Sequence, residues 1–519
     1  MHVSLSVPST DRPPPAPGAY RLVRTPVVDA RDIAVDASQR AVVDHPGGPL
    51  LVLAGPGTGK TTTLVAAVAR RVRAGADPER LLVLTFSRKA AVELRDRLTA
   101  ELGARAPQAT TFHSFAYALV RAHQDRELFA EPLRLLSGPE QDLFVRELLA
   151  GHQELERSGR GPRWPAELRA CLTTRGFADE LRAVLARGRE LGLDPETLGE
   201  FARRTGRQDW SVAAEFLAEY LDVTQAQGVI DYTELLREAV ALAERPEHAG
   251  AIAARYDAVF VDEYQDTDPA QVALLRALAG DGRDLTVFGD PDQSIYAFRG
   301  ADLGGILGFP DTFRTRAGEP APVLALRVAR RSGAGLLAAT RTLAARMPLG
   351  RLPAEAVRRH RSPEPTREGG TVQVLTYPTA GAELANIADL LRRARLEDGL
   401  PWGEMAVLVR AGRHTIPAVR RALTSAGVPL EVDGDDLPLR QEPAVAPLLT
   451  ALRVVAEAGA TGPEGAGAAL DAETATRLLT SPLGGMDAAD LRRLGRALRE
   501  EERAAGGGPP PPSDALIAR

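Results

Sequence analysis

Short apolar runs alternate with polar loops and helical patterns along the first half of the chain. Four of these runs read PLLVLAG, LLVLTF, YDAVFVDE and DLTVFGD, and they contain Leu51, Val83, Phe260 and Val287. Buried strands that alternate with helices are typical of parallel sheets, which helices cover on both faces. The pattern therefore predicts an α/β fold built on a parallel sheet.

A long middle segment lacks this strand pattern. Between Phe115 and Gly250, segments such as ELRAVLARGRELG and WSVAAEFLAEYLDVTQA place apolar residues at helical spacing. We therefore expect a first sheet domain at residues 31–330, with a helical insertion at about residues 115–230.

A second α/β pattern begins later in the chain. The strand-like runs TVQVLTY, from Thr371, and MAVLVR, from Met405, are each followed by a helical pattern. We expect the start of a second sheet domain at residues 331–440, then an incomplete helical insertion and a Pro/Gly-rich tail at residues 441–519. Residues 1–30, which include DRPPPAPG, are predicted to form a flexible arm.

The composition excludes several classes of protein. The 519 residues carry a net charge of −5, which excludes a chain-wide, histone-like affinity for nucleic acid. The single cysteine, Cys171, excludes an internal disulfide, a Cys-type zinc site and an iron–sulfur cluster held by this chain alone. No apolar run reaches the length of a membrane span, and we expect a cytoplasmic protein with no membrane partner.

Lysine is almost absent from the sequence. Of the 64 basic residues only Lys60 and Lys89 are lysine. Where arginine has replaced lysine generally, a remaining lysine indicates a site that needs a compact ammonium group. Chance explains Lys89 equally well, whereas the neighbours of Lys60 indicate a specific site.

A glycine-rich loop lies between an apolar run and a helical pattern in LVLAGPGTGKTTTL. This is the context of a phosphate-binding loop, in which backbone amides and a helix N-terminus face the phosphates. The alternative is a glycine-rich surface turn, but the strand, the Gly-Lys-Thr triplet and the helix stand in register. The predicted nucleotide-binding residues are Gly55, Gly57, Thr58, Gly59, Lys60, Thr61 and Thr62.

Acidic and amide side chains follow two further apolar runs. Asp262 and Glu263 end one run, and Gln293 follows the next. We predict that Asp262 and Thr61 hold Mg²⁺ and that Glu263 is the base that orients the attacking water. Gln293 is predicted to sense the γ-phosphate. Paired acids after a strand also occur in ordinary loops, so the roles predicted for Asp262 and Glu263 depend on the presence of the glycine-rich loop.

Aromatic residues follow the strand-like runs by a few positions. Phe86 stands close to Lys89, and Tyr296 and Phe298 stand close to Arg299. Aromatic platforms with basic neighbours are what a track for single-stranded nucleic acid requires. The alternative is that these aromatics are core residues at strand ends.

An arginine-rich stripe follows at residues 327–361, which hold nine arginines and one acid, Glu355. Such a stripe could follow a phosphate backbone. A solvated helix face in an arginine-rich protein is an equally good explanation.

Five motifs, in their order along the chain, carry a resemblance to a known family. They are AGPGTGKT, TFSRKAA, TFHSF, VDEYQD and GDPDQSIYAFRGAD. Over about residues 30–435 the chain resembles the UvrD/Rep family of superfamily-one DNA helicases, in which alanine is common at the position of Ala54. The resemblance implies a RecA-like P-loop NTPase fold that uses ATP and Mg²⁺, and the beginning of a second RecA-like domain.

The resemblance also implies roles for individual residues. Gln39 stands where the family has the glutamine that reads adenine. Arg331 stands where it has the arginine that approaches the γ-phosphate, while Ala329 and Arg330 replace an asparagine and the adenine-stacking tyrosine. The expected DNA-binding residues, including basic neighbours of the aromatics, are Phe86, Lys89, His113, Tyr296, Phe298 and Arg299.

The expected function is ATP-dependent movement on single-stranded DNA with unwinding of duplex at junctions, in DNA repair or recombination. The composition and motifs resemble the motors of actinobacterial helicase–nucleases of the AdnAB type, so a second helicase–nuclease subunit is an expected partner. No counterpart of the family's C-terminal motifs is recognisable before Arg519. The alternative is an ATP- and DNA-binding scaffold subunit with little motor activity of its own.

Overall fold

The computed structural model describes residues 34–123, 133–159, 162–297, 300–347, 349–432, 445–461, 471–506 and 510–518. The chain divides into two compact units, Met1–Val372 and Gln373–Arg519. The predicted arm at residues 1–30 lies outside the described residues, as do residues 507–509 of the predicted tail. The domain boundaries expected from the sequence stay predictions.

The first unit contains both strands and helices. Its described strands are β1 (Pro49–Leu53), β2 (Leu81–Thr85), β3 (Ala109–Thr111), β4 (Arg134–Leu135), β5 (Val229–Ile230), β6 (Ala258–Val261), β7 (Asp284–Gly289), β8 (Val323–Ala325), β9 (Val328–Ala329) and β10 (Glu364–Pro365). Its described helices are α1 (Ala37–Val43), α2 (Lys60–Arg73), α3 (Arg88–Leu102), α4 (Phe112–His123), α5 (Gly138–Arg157), α6 (Ala166–Arg169), α7 (Arg175–Glu190), α8 (Pro195–Thr205), α9 (Gln208–Ala226), α10 (Tyr232–Glu244), α11 (Pro246–Ala254), α12 (Pro269–Ala279), α13 (Leu303–Thr312), α14 (Ala334–Ala344) and α15 (Ala354–Arg361).

Among the described strands, six form one parallel sheet in the order β3–β2–β6–β7–β1–β8. The four apolar runs of the sequence form the four central strands. A central strand is covered on both faces and paired on both edges, so it appears as a continuous apolar run. The predicted α/β fold with a parallel sheet is confirmed.

Helices cover both faces of the sheet. Successive side chains of each strand point to opposite faces, so each strand packs against helices on both sides. Leu82 and Val259 pack with α4, α10 and α12 on one face. Their sequence neighbours Val83 and Phe260 pack with α2 and α3 on the other. The strands are parallel, so the loops that follow β1, β6 and β7 lie along one edge of the sheet.

The segment between β3 and β6 is mainly helical and has a core of its own. Helices α5, α7, α8 and α9 pack around the buried side chains of Trp164, Phe216 and Tyr220. The short strands β4 and β5 pair in parallel at the two ends of this segment.

A buried arginine ties this helical segment to α10. Arg189 of α7, with 1% of its side chain exposed, places Nη2 2.8 Å from Oδ2 of Asp231, the N-cap residue of α10. Tyr220 and Gln141 donate to the same carboxylate at 2.9 and 3.0 Å. Burial raises the pKa of Asp231, but the ion pair and the donated hydrogen bonds outweigh burial and lower it overall. The carboxylate is therefore held ionised.

Replacement of Arg189 with methionine should lower the free energy of unfolding by about 3–5 kcal/mol, because the Asp231 carboxylate loses its cation while it stays buried. Denaturant unfolding followed by circular dichroism measures the change. Arg175→Met, at the exposed start of the same helix, is the matched control and should stay within about 0.5 kcal/mol of wild type. Equal stability of the two variants would show that the ion pair has no net effect.

The second unit is helical in its described part. Its helices are α16 (Ala380–Leu396), α17 (Gly412–Ser425), α18 (Ala446–Thr461), α19 (Ala472–Thr480), α20 (Ala488–Ala504) and α21 (Ser513–Ile517). Ala388 of α16 packs with Val419 and Leu423 of α17 in a small core. Across the described residues of the chain, no helix is long and apolar enough to span a membrane.

The strands expected in TVQVLTY and MAVLVR do not form. Residues 371–377 and 405–410 are described, and neither segment pairs as a strand. The side chains of Val374 and Leu408 are 87% and 93% exposed. A strand needs a paired neighbour and a covered face, which an apolar pattern alone does not supply. The expectation of these strands is wrong, and the start of a second RecA-like domain stays a prediction.

Candidate nucleotide and nucleic-acid site

The glycine-rich loop joins the end of β1 to the start of α2. Gly57 and Gly59 have φ angles of +73° and +86°, a region that favours glycine. A Cβ atom at Gly57 would lie 2.5 Å from Cβ of Arg331, and one at Gly59 would lie 2.6 Å from Nε2 of Gln39. The two glycines therefore allow Arg331 and Gln39 to approach the loop closely.

The first turn of α2 completes the loop. The Thr58 hydroxyl donates to the carbonyl of Gly55 at 2.7 Å. Lys60, Thr61 and Thr62 follow, half-buried, in the turn where helical amides lack intrahelical acceptors. A helix N-terminus of this kind favours a bound anion.

Two carboxylates at the end of β6 face the lysine. Nζ of Lys60 lies 4.0 Å from Oδ1 of Asp262 and donates a hydrogen bond to Oε2 of Glu263. Asp262 is 4% exposed, and burial raises its pKa to about 6 against the opposing effect of Lys60. The ammonium group of Lys60 thus favours the charged form of Asp262.

The backbone of Glu263 is strained. Its φ is +52°, and among the described residues only Asp281 is another non-glycine residue with positive φ. Such conformations cost on the order of 1–3 kcal/mol and persist where the surroundings enforce them. The hydrogen bond from Lys60 and a second from Nε2 of Gln265, at 2.7 Å, hold the Glu263 carboxylate here. The strain points to a functional residue.

A chain of hydrogen bonds connects Glu263 to the loop after β7. Gln265 donates to Glu263 and accepts from the backbone N–H of Asp290 at 2.9 Å. Asp290, which is 1% exposed, accepts from Nε2 of Gln293 at 2.6 Å. The ends of β6 and β7 are therefore coupled, and Gln293 lies exposed at the end of this chain.

Gln39 is almost fully buried beside the glycine-rich loop. It forms a capping box with Asp36 at the start of α1, in which its Oε1 accepts from the N–H of Asp36 at 3.0 Å. Its Nε2 lies 3.4 Å from the carbonyl oxygen of Thr58. Arg330 donates to Asp36 at 2.7 Å, so it lies in the same group of side chains.

Phe86 and Tyr296 follow different strands and contact each other. Their ring centroids are 5.0 Å apart with 33° between the ring planes, and both side chains are partly exposed. Lys89 is exposed in the first turn of α3. Phe298 and Arg299 lie outside the described residues. Two of the three expected base platforms are thus brought together.

A cleft of about 410 Å³ lies beside Phe86. His113 packs edge-on against Tyr232 there, with 5.2 Å between ring centroids. Burial and the nearby charge of Arg88 lower the pKa of His113 to about 4, so its imidazole is neutral at pH 7. The residues that line the cleft are Phe86, Arg88, Thr111, His113, Ser114, Tyr117, Leu135 and Tyr232.

Residues 35–314 match the family model of the UvrD/REP helicase N-terminal domain. The chain belongs to the UvrD/REP helicase family. The matched range includes every described site residue named above except Arg330 and Arg331. Arg330 contacts this site through Asp36 and through its backbone N–H, which donates to the carbonyl of Gly57 at 2.9 Å, and Arg331 lies beside Gly57.

Curated members of the UvrD/REP family are similar over much of the chain. The ATP-dependent DNA helicase UvrD2 of Mycobacterium tuberculosis is 32% identical over 419 residues, which are 78% of this chain and 55% of UvrD2. A probable DNA helicase II homolog of Rickettsia felis is 28% identical over 406 residues, 77% of this chain and 57% of the homolog. This chain therefore spans about half the length of these relatives.

Two residues of the UvrD/REP-type site have no functional signal in the sequence. Asp36 anchors Arg330, and Tyr232 lines the cleft. The spacing of Asp36 and Gln39 is that of a capping box, which could have indicated Asp36. Tyr232 directly follows a helix N-cap, which predicts a helix start but not a cleft.

The stability of this UvrD/REP domain should depend on His113 between pH 7 and pH 5. The unfolded imidazole gains a proton near pH 6.5, and the folded one only near pH 4. The contribution of His113 is therefore present above pH 6.5 and is lost as the pH falls, by about 2 kcal/mol between pH 7 and pH 5. Denaturant unfolding should show that wild type loses about 2 kcal/mol more unfolding free energy between pH 7 and pH 5 than His113→Gln does. Equal losses of unfolding free energy would show that folding does not lower the pKa of His113.

Proposed function

We propose that this chain contains the first motor domain of an ATP-dependent DNA helicase, which couples ATP hydrolysis to movement on single-stranded DNA and to unwinding of duplex. The proposal rests on the loop after β7. This loop places Gln293 in the hydrogen-bond chain to Glu263 and, three residues later, Tyr296 against Phe86. One short segment therefore connects the nucleotide site to the aromatic pair.

The residues at the glycine-rich loop fit ATP with Mg²⁺. Gly57 and Gly59 keep Cβ atoms out of a loop that other side chains already crowd. The Thr61 hydroxyl and the buried Asp262 carboxylate are oxygen ligands of the kind that Mg²⁺ prefers. When bound, Mg²⁺ neutralises the charge of the phosphates during transfer.

The chain's own groups have separate tasks in the proposed reaction. Glu263, held by Gln265, orients the attacking water and takes its proton. Lys60 neutralises charge on the phosphates. Gln293 and Arg331 stabilise the charge that develops on the γ-phosphate, as an arginine finger does in related phosphoryl transfers.

Truncation of either aromatic platform should weaken binding of single-stranded DNA. Phe86→Ala and Tyr296→Ala should each cost about 1–3 kcal/mol of binding free energy, because a base loses its stacking partner. Fluorescence anisotropy with a labelled oligothymidine measures this change. Trp210→Ala, which removes one ring of the Phe201–Trp210 stack in the helical segment, is the matched control and should bind as wild type does. Normal DNA binding with a lowered melting temperature would identify Phe86 and Tyr296 as core residues.

Two assays of the purified chain test the proposed function. One measures ATP turnover with and without single-stranded DNA, and the other measures strand separation of a tailed duplex. We expect turnover that DNA increases and that Glu263→Gln lowers by about 10²–10⁴-fold. The scaffold alternative is not favoured, because Lys60, Asp262 and Glu263 lie together at the end of β6, as hydrolysis requires. ATP binding without turnover in the presence of DNA would support the scaffold instead.

The remaining expectations are proposals that rest on the family resemblance and the sequence. They are a setting in DNA repair or recombination, duplex junctions as substrate and a cytoplasmic location. A second helicase–nuclease subunit of the AdnAB type is likewise a proposal, to be tested by co-purification.

A further inference from the structure

Helix α15 ends against the loop that carries Gln293. Nε2 of His360 lies 3.1 Å from Oδ1 of Asp290 and 3.7 Å from Oδ2 of Asp292. The next residue, Arg361, donates to both oxygens of Asp292, at 2.9 and 2.6 Å. The end of α15 therefore holds both carboxylates of the GDPDQ motif.

His360 is enclosed between this loop and the glycine-rich loop. It is 4% exposed, and a Cβ atom built on Gly55 would lie 3.7 Å from its Cε1. The ring thus lies beside the glycine-rich loop and also contacts Asp290. Arg359 of the same helix instead pairs with Glu355 at the surface.

Asp290, Asp292 and His360 have the ligand types of a metal site, but hydrogen bonds already occupy the carboxylates. Asp290 accepts from Nε2 of Gln293 at 2.6 Å and from the backbone N–H of Asp292 at 3.0 Å. Asp292 accepts twice from Arg361, whose guanidinium supplies the positive charge that a metal would bring. The contacts favour a positioning cluster over a metal site.

We propose that His360 is a positioning residue for ATP hydrolysis, which fixes Asp290, and through Asp290 the side chain of Gln293, beside the glycine-rich loop. The carboxylate of Asp290 contacts both His360 and Gln293, so a shift of this carboxylate moves the anchor of Gln293. Arg361 holds the same loop through Asp292. The inference rests on the proposed function, because only that function assigns Gln293 to the γ-phosphate.

The electrostatics of Asp290 agree with this role. Burial raises the pKa of Asp290, but its interactions with His360 and Gln293 outweigh burial, so the pKa lies below its usual value. A side chain of similar size without an N–H donor would leave this buried carboxylate short of a partner. Glutamine can supply a donor in place of Nε2–H, whereas leucine cannot.

Steady-state ATP turnover in the presence of single-stranded DNA tests the positioning role. His360→Leu should lower kcat by about 10–100-fold, the scale on which lost outer-shell partners act, while KM for ATP stays close to wild type. His360→Gln should recover most of kcat. Glu355→Gln, exposed on the same helix, is the matched control and should behave as wild type. In a Gln293→Ala background, His360→Leu should lower kcat no further, because the residue through which it acts is gone.

Hydrogen exchange at residues 290–297 gives a readout that needs no turnover. In the nucleotide-free protein, His360→Leu should speed amide exchange in this loop and His360→Gln should restore the wild-type rates. If wild type does not hydrolyse ATP, the proposed function fails, and unchanged exchange rates in His360→Leu would then overturn the positioning role separately. A loss of kcat that His360→Gln does not rescue, or an undiminished effect in the Gln293→Ala background, also overturns it.

Discussion

Replacement of Glu263 with glutamine is expected to preserve ATP binding and to slow hydrolysis by about 10²–10⁴-fold. A positioned general base contributes a factor of this size, and an amide of the same shape cannot take the proton. Lys60 and Gln265 donate to the Glu263 carboxylate, and the amide oxygen of glutamine can accept from them. The side chain should therefore keep its place while it loses its basicity.

Two measurements separate these effects in Glu263→Gln. Calorimetric titration measures ATP binding, and phosphate release in the presence of single-stranded DNA measures hydrolysis. Glu244→Gln, at the exposed end of α10, is the matched control and should turn over ATP as wild type does. Turnover near the wild-type rate in Glu263→Gln, with contaminating ATPase excluded, would show that the base lies elsewhere.

The central sheet could be predicted from the sequence because its requirements are local. A strand covered on both faces needs apolar residues at nearly every position, which is why β1, β2, β6 and β7 appear as apolar runs. The edge strands β3 and β8 have three residues each, too few to distinguish a strand from a loop. The glycine-rich loop was also recognisable, because its glycines and Lys60 have a fixed spacing.

Tertiary contacts, in contrast, have no local signal. His360 and Arg361 belong to an arginine-rich run, in which the preceding residue, Arg359, pairs at the surface. Only the packing of α15 decides which of these side chains face inward. The pair Asp36 and Arg330 joins residues 294 positions apart. Arginine is so common in this chain that an inward-facing arginine cannot be distinguished by residue type.

The segment MAVLVR shows how an apolar alternation can mislead. Val407 and Val409 pack against the small core of α16 and α17, while Leu408 between them is exposed. This alternation is what a half-covered strand would show. In the described part of the chain no neighbouring strand pairs with this segment, so the pattern reflects one-sided burial without a sheet.

Substitution of Lys60, even by arginine, is expected to lower ATP turnover by about 10²–10³-fold, the effect of losing one preorganised donor to developing charge. Nζ of Lys60 reaches both Asp262 and Glu263, and only 13% of its side chain is exposed. A planar guanidinium is wider and has a fixed fork geometry, so it cannot occupy the same space. Alanine also removes the charge that offsets the two carboxylates.

Phosphate release and calorimetric ATP binding by Lys60→Arg and Lys60→Ala separate charge from shape. Both variants should fail in turnover, and Lys60→Ala should also lose more ATP affinity, because it alone removes the positive charge. Arg70→Lys, exposed on the same helix, is the matched control for exchange of the two cations and should retain wild-type turnover. Nearly all basic residues of this chain are arginine, yet position 60 is lysine. We therefore predict that positive charge alone is not sufficient for ATP turnover at this position. Turnover near the wild-type rate in Lys60→Arg would contradict that prediction and show that any cation of similar reach can serve.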